Sequence, residues 1–478
     1  MRLLLLILLT IGLHAGETES NSLFDQVLKL QHVQEPEIDD MAMTTAFAEV
    51  VESSRAAIAT AADTEGKITA LCATLLNARK VSYLSNQYWR DSTLAASLLR
   101  KKGNCLATST LFVLVGDALG LPIHLVVVPS HAFVRWDDGK ISRNIETTAN
   151  GQAITDEYYL YGRNSSDPAD VIALGWGRSL DHNGFMAELI ECAAYHRAGE
   201  ERLEEAIALL DEVERLVPRR SDLALAHIHL RADLTKDRAA ARTALGALLE
   251  HGNPPPSVAT GALMMLAEDA GARGNVPGQR QLLLTAFAHA PKSAMHQVLQ
   301  DLAFCHRTLR DPRAARRYME LALTLVQTGS PELASDLYNL AILQKNDHDL
   351  TAAIATIRQA RQLNPEKWNL QMLEAGYLML DGQREAALPI RAAIVKPRAE
   401  EEFWAVMEAW YLAVSGDRDG FMKKLSIALE TTNSLRTLQW TDQDEDLDPY
   451  RADPEFIELI KHHRQRLGAA SASVPVAP

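Results

Sequence analysis

Cysteine is scarce in this chain: four in 478 residues, at Cys72, Cys105, Cys192 and Cys305. They are too few and too scattered for a disulfide framework. No Cys-x-x-Cys pair occurs, and Cys305-His306 has no companion ligands at metal-binding spacing, so no metal and no cofactor is expected. Excess positive charge is missing too. The formal net charge is −14, and without clustered Lys and Arg to neutralise phosphates, nucleic acid is not an expected partner. There is no phosphate-cradling glycine loop. No apolar run reaches the ~20 residues of a membrane-spanning helix, so no stable span is expected. The run from Leu3 to Leu13 behind Arg2, ending at Ala15-Gly16, reads instead as a signal peptide over residues 1–16. The expected location is therefore outside the cytoplasm, periplasmic or secreted. Leu13 is large for a residue just ahead of a cleavage site, which leaves an uncleaved N-terminal anchor open.

What remains is a globular chain, 47% hydrophobic and long enough for two or three domains. From Cys105, the residues Leu106, Leu111, Leu114, Val115 and Leu119 recur on one face of a buried helix that Gly103-Asn104 opens and Gly120-Leu121-Pro122 ends. Cys105 would sit at the helix N-terminus, where free backbone N–H groups and the helix dipole favour a thiolate. Lys101 and Lys102 add positive charge nearby.

Beyond the break, Ile123 to Val128 reads as a buried strand, Pro129-Ser130 interrupts it, and His131 to Trp136 is a second strand. Asp137-Asp138-Gly139 is a hairpin turn, with Lys140 to Thr147 returning. If the turn is the two-residue Asp138-Gly139 type, Asp137 pairs with Lys140 and His131 falls opposite Glu146. Directly opposed residues have Cβ atoms roughly 4.5–5.5 Å apart, close enough for a carboxylate to hold an imidazole. A one-residue slip would put Ala132 there instead. Cys105, His131 and Glu146 then make a nucleophile, a base and an orienter. Asn144, on the face of Glu146, is a candidate second orienter. For the oxyanion the backbone N–H of Cys105 is the candidate donor, ahead of Asn86 and Gln87 upstream. Taken alone, a cysteine at a helix start is commonly a small hydrophobe; the constellation gives it a chemical reading.

Several spaced elements carry a family resemblance. Arg100-Lys101-Lys102-Gly103-Asn104-Cys105, Leu119-Gly120-Leu121-Pro122, Pro129-Ser130-His131-Ala132-Phe133-Val134-Arg135 and Asn144-Ile145-Glu146-Thr147-Thr148 with Gly151 resemble the transglutaminase-like domain of the SirB type over roughly residues 45 to 170. The resemblance implies an α+β papain-like core with a Cys, His and acid triad, which maps onto Cys105, His131 and Glu146. Many members carry Asp-Pro-Phe or Asp-Pro-Thr where this chain has Glu146-Thr147-Thr148.

From about residue 184 the pattern becomes helix after helix. Leu337, Leu340, Ala341, Ala353, Ile357, Ala360 and Pro365 form one unit from Ala334. Leu299, Leu302, Ala303, Ala315, Met319 and Ala322 repeat it from His296, and related sets start at Thr260 and Ala187. With weaker copies near Ser221, Trp368 and Glu402, about seven units resemble tetratricopeptide repeats, an all-α superhelix whose groove binds protein or peptide. Ser335, Tyr338, Ile342 and Lys345 would line that groove in one unit. Asp453 reads as the N-cap of a last helix with Pro454 in its first turn.

The expected organisation is a signal peptide at 1–16, a transglutaminase-like domain at 23–180, a tetratricopeptide-repeat array at 184–435, a capping region at 436–467 and a disordered tail at 468–478. The expected activity is cysteine-dependent acyl transfer, either to water as a peptidase or amidase or to an amine as a transferase, on substrates recruited by the repeats. The alternative is an inactive domain in a repeat scaffold that mediates protein–protein interaction.

Overall fold

The computed structural model describes residues 22–79, 82–83, 89–218, 220–326, 329–330, 332–397, 401–431 and 435–466. The signal-peptide and tail segments, and Asn86 and Gln87, lie outside these residues. The chain divides into two compact units: 1–269 with 285–294, and 270–284 with 295–478.

The first unit begins with helices α1 (Leu23–Gln34), α2 (Asp40–Ala59) and α3 (Thr64–Cys72). Each starts on a side-chain cap. Ser22 and Asp25 form a capping box, and Asp39 and Asp63 accept backbone N–H groups of the first turn. Strand β1 (Ser82–Tyr83) pairs in parallel with β2 (Lys102–Gly103), on either side of the short helix α4 (Leu94–Leu98). Helix α5 (Cys105–Leu119) follows. Every residue from Cys105 to Gly116 is buried, as expected of a helix with apolar or small residues all round. Asn104 caps it by accepting the Ala107 N–H, and Gly120 closes it in the left-handed conformation at φ 64°.

A three-stranded antiparallel sheet packs on α5: β3 (Ile123–Val128), β4 (His131–Asp137) and β5 (Ser142–Ile145). The two faces of the sheet serve different cores. Leu125, Ala132, Val134, Trp136 and Ile145 join the large core around α5. Val126, Val128 and Phe133 on the other face pack with Tyr159 and Leu160. After α6 (Pro168–Leu174) come α7 (His182–Gly199), α8 (Leu203–Leu216), α9 (Ser221–Thr235) and α10 (Arg238–His251). These are two helical hairpins, and Phe185, Ile190, Ala194, Ala206 and Leu210 of the first belong to the same core as α5.

Helices α11 (Pro256–Ala272) and α12 (Val276–His289) are followed by α13 (Lys292–Thr308) with α14 (Pro312–Leu323), α15 (Leu333–Asn346) with α16 (Leu350–Leu363), α17 (Trp368–Leu380) with α18 (Arg384–Ala393), and α19 (Glu401–Val414) with α20 (Arg418–Thr431). Counted from α7, that makes seven helix pairs among the described residues. The small residues of the repeat pattern lie in the seams. Ala303, Ala315 and Ala322, and Ala341, Ala353 and Ala360, are all 0% exposed, so two backbones approach where a larger side chain would hold them apart.

Helices α21 (Leu435–Gln443) and α22 (Pro454–Arg466) end the second unit. Asp453 accepts the Glu455 N–H at 2.9 Å and is gripped by Arg418 at 2.7 Å, which confirms it as the cap. Phe456 and Ile460 pack against Phe421 and Leu425. Of the residues expected to line a groove, only Ser335 is exposed. Tyr338 sets its hydroxyl 3.9 Å from the Met407 sulfur, and burial pushes it up to about 12. Lys345 pairs with Asp446 at 2.7 Å and Asp444 at 3.7 Å, and Ile342 packs beside the core of α16 and α17. Their bonding is met within the unit itself. Among the described residues no helix is long and apolar enough to cross a membrane.

Candidate active site

The hairpin does not turn as the sequence suggests. Val134 pairs with Ile145, Arg135 with Asn144, Trp136 with Arg143 and Asp137 with Ser142. The loop is therefore the four residues 138–141. Asp138 holds it, with its carboxylate accepting the N–H groups of Lys140 at 2.9 Å and Ile141 at 2.8 Å, a local competition with ladder bonding that aspartate makes readily. Lys140 and Ile141 thus belong to the turn. Strand β5 is also shorter than expected, because Glu146 leaves the ladder to bridge to Gln152.

The error in register is two residues, and side chains alternate with a period of two, so His131 and Glu146 stay on one face. They are diagonal rather than opposed, since the register carried on sets Phe133 across from Glu146. Diagonal neighbours are roughly 7–8 Å apart, and the extra methylene of glutamate over aspartate helps to span that offset. Nε2 of His131 meets Oε2 of Glu146 at 2.7 Å, with both side chains only 4% exposed.

Four contacts fix Glu146. Oε1 accepts the backbone N–H of Thr148 at 2.9 Å and its hydroxyl at 2.6 Å. Oε2 accepts the Tyr159 hydroxyl as well as facing His131. The Tyr159 ring is stacked 5.3 Å from His131 and 4.6 Å from Phe133. Gly151 shapes the turn that delivers the carboxylate. It lies at φ 78°, its N–H donates to the Glu146 carbonyl at 2.9 Å, and a Cβ there would strike the Cys72 sulfur. Thr147 ties the same turn to α5 through the hydroxyls of Thr108 at 3.0 Å and Ser109 at 3.1 Å.

The electrostatics follow from these contacts. Burial opposes the charge of Glu146, but hydrogen bonds from His131, Thr148 and Tyr159 outweigh it and bring the carboxyl down to about 2. Burial likewise opposes the charge of His131, and hydrogen bonds to Cys105 and Glu146 overcome it, raising the imidazole to about 9. With Nε2 on Glu146, Nδ1 is the nitrogen left for Cys105. The sequence-predicted triad thus comes together, with Cys105 at the first position of α5, His131 at the start of β4 and Glu146 just past β5.

Asn144 does not join it. Its side chain accepts from Arg135 Nε at 2.7 Å and donates to Asp156 at 2.7 Å and to the Ile154 carbonyl at 2.8 Å. Arg135 also forks onto Asp156 at 2.6 and 2.7 Å and donates to the Gly177 carbonyl at 3.1 Å. This network fastens the 175–179 segment beside the site. Tyr159, Asp156 and the support from Thr148 were missed from sequence; no periodic pattern points to them.

A cavity of about 1050 Å³ opens at Cys105 and His131, with Val128, Trp176, Glu188 and Arg220 among its walls. Cys192 and His196 face it as well, 3.9 Å apart. Burial, as the leading cause, pushes that thiol up to about 11 and that imidazole down to about 4, so the second pair is held neutral. Among the described residues no group of three or more His, Cys, Asp or Glu is placed to hold a metal ion.

The family model described as the transglutaminase-like superfamily matches residues 41–159. The chain carries a transglutaminase-like domain. The match runs from the second residue of α2 through β5, takes in Cys105, His131 and Glu146, and has Tyr159 as its last residue. Comparison with curated proteins gives no match. Among solved structures, PilF of Pseudomonas aeruginosa is 14% identical, covering 58% of this chain and 97% of its own, with a TM-score of 0.33. A monomeric mutant of IFIT1 with Gppp-AAAA is 14% identical, covering 93% and 100%, with a TM-score of 0.37. The TPR domain of P58(IPK) is 15% identical, covering 60% and 90%, with a TM-score of 0.19. The repeat character of the region after the transglutaminase-like domain rests on its own buried helix seams.

Proposed function

We propose that the protein is a cysteine-dependent acyl-transfer enzyme acting on protein or peptide substrates, with the helical repeats as the recruiting element. One observation carries this reading: His131 is buried between Cys105 and a carboxylate pinned by four contacts, at the mouth of a cavity large enough for a peptide segment. A histidine that only filled space would not need a partner held so firmly on the side away from a thiol.

In the reaction the thiol proton resides on His131. The Cys105 sulfur attacks the acyl carbon, the C–S bond forms, and the carbonyl electron pair moves to oxygen. The N–H groups of Cys105 and Leu106, the first two of α5 and so without intrahelical acceptors, are the available oxyanion donors. Collapse breaks the C–N bond, and the leaving amine takes the proton from His131. Water or an amine then attacks the thioester and gives its proton to His131, and the C–S bond breaks to restore the thiolate. Glu146 keeps the imidazole oriented and stabilises its charge throughout.

The test is alkylation by iodoacetamide with mass-spectrometric readout on the Cys105 peptide, in the wild type and in His131→Ala, with Cys105→Ser to subtract other thiols. A rate at neutral pH at least tenfold lower in His131→Ala supports the pair. Equal rates would leave a transglutaminase-like domain without turnover, inside a scaffold whose role is protein–protein interaction.

A further inference from the structure

The first helical hairpins contribute part of the lining of the cavity that reaches Cys105. Glu188, Glu191 and Cys192 come from α7, and Arg220 and Asp222 from the start of α9. The charges there do not balance. Arg220 is committed twice, to Glu191 at 2.8 Å and to Asp222 at 2.5 Å. Glu191 is further satisfied by the Tyr195 hydroxyl at 3.2 Å. Glu188 is left over. Among the described residues it has neither a hydrogen-bond nor an ion-pair partner, although it lines the cavity and is largely shielded from water. Burial first, and then the Glu191 carboxylate, hold its carboxyl above the usual range. Arg220, already shared by Glu191 and Asp222, offsets a carboxylate there only in part, and a cation entering the cavity would relieve the remainder.

The wall is also within electrostatic reach of the thiol. Cys192 feels the charges of Glu188, Glu191 and Cys105 together. A charged group on a molecule bound at Cys105 therefore falls within the field of Glu188, in a cleft whose low-dielectric walls weaken screening.

We infer that Glu188 is a specificity determinant, selecting acyl substrates that carry a positively charged side chain, such as a basic peptide, on the portion lying along the α7 wall. The inference rests on the reading of Cys105 as the reacting atom. It assigns Glu188 a binding role distinct from the Cys105, His131 and Glu146 set.

The experiment uses the full chain with Cys192→Ser, so that Cys105 is the thiol facing the cavity. Three probes are compared: neutral iodoacetamide, the cation methanethiosulfonate ethyltrimethylammonium and the anion methanethiosulfonate ethylsulfonate. Modification is read on the Cys105 peptide. At pH 8.5, where Glu188 is ionised even with its carboxyl raised to about 7, replacing Glu188→Gln should lower the cation-to-anion rate ratio by about fivefold, the order expected for removing one charge from a partly screened cleft. Glu188→Asp, which keeps the charge, should retain most of the ratio. An unchanged ratio in Glu188→Gln overturns the inference. The catalytic reading is scored separately by whether the iodoacetamide rate depends on His131, so either can fail while the other stands. No labelling by any probe means that the cleft does not admit solute to Cys105 and overturns both.

Discussion

The sheet around His131 and the helix seams around Ala353 are held together by opposite means. At His131 a few polar groups are buried, and each needs an exact partner: Glu146 takes four contacts, and Thr147 two more. At Ala353 no polar partner is involved; a side chain of minimal size lets α15 and α16 meet, and the same solution recurs pair after pair. A polar constellation is intolerant because an unpaired buried group costs its full desolvation. A repeated apolar seam is intolerant only to changes of volume.

The sharpest way to break this contrast is pH. The carboxyl of Glu146 lies at about 2 against an ordinary 4.5, so its stabilisation is present above about pH 4.5 and is lost as pH falls toward 2. His131 lies at about 9 against 6.5, so its contribution is whole below 6.5 and is lost as pH rises through 9. The pair should therefore contribute most between pH 4.5 and 6.5. Because the two displacements share one interaction, the total is about 3 kcal/mol. The check is the difference in urea-unfolding free energy between the wild type and His131→Gln across pH; a flat difference would mean that the two groups are not coupled.

Next in size is overpacking a seam. Ala353→Leu should destabilise by about 2 kcal/mol, independent of pH, because the added carbons have no space between two helices. A urea midpoint unchanged from the wild type would show that the seam is looser than the burial of Ala353 implies.

Thr148→Val is the mildest test. It removes the hydroxyl donor to Glu146 but keeps the backbone one, at a cost of about 1 kcal/mol. With one less bond to its charged form, the Glu146 carboxyl should rise from about 2, read by carbon-13 NMR titration of the side chain. No movement would mean that the threonine N–H alone sets the carboxylate.

Legibility differed between the regions for the same physical reason. The repeat pattern was readable because each unit states its packing in its own residues, and Ala303, Ala315 and Ala322, which recur at the unit's spacing, are all fully buried. The meeting of His131 and Glu146 was readable because face is a matter of parity: a register wrong by two residues still placed both on one side of the sheet. Asn144 shared that parity yet went to Arg135 and Asp156. Parity chooses a face and leaves open which of several neighbours is closest.

The sequence by itself determined the Cys105 helix and its start after Gly103-Asn104, the alternation that puts a histidine and an acid on one face, and the recurring small residues of the helical pairs. These are local or periodic properties that a chain carries in its order. Only the tertiary structure decided that Tyr159 and Thr148 would hold Glu146, that Asp138 would stretch the hairpin loop, and that α7 would bring Glu188 into the lining of the cavity that reaches Cys105. Those contacts join residues by distances in space that no spacing along the chain encodes.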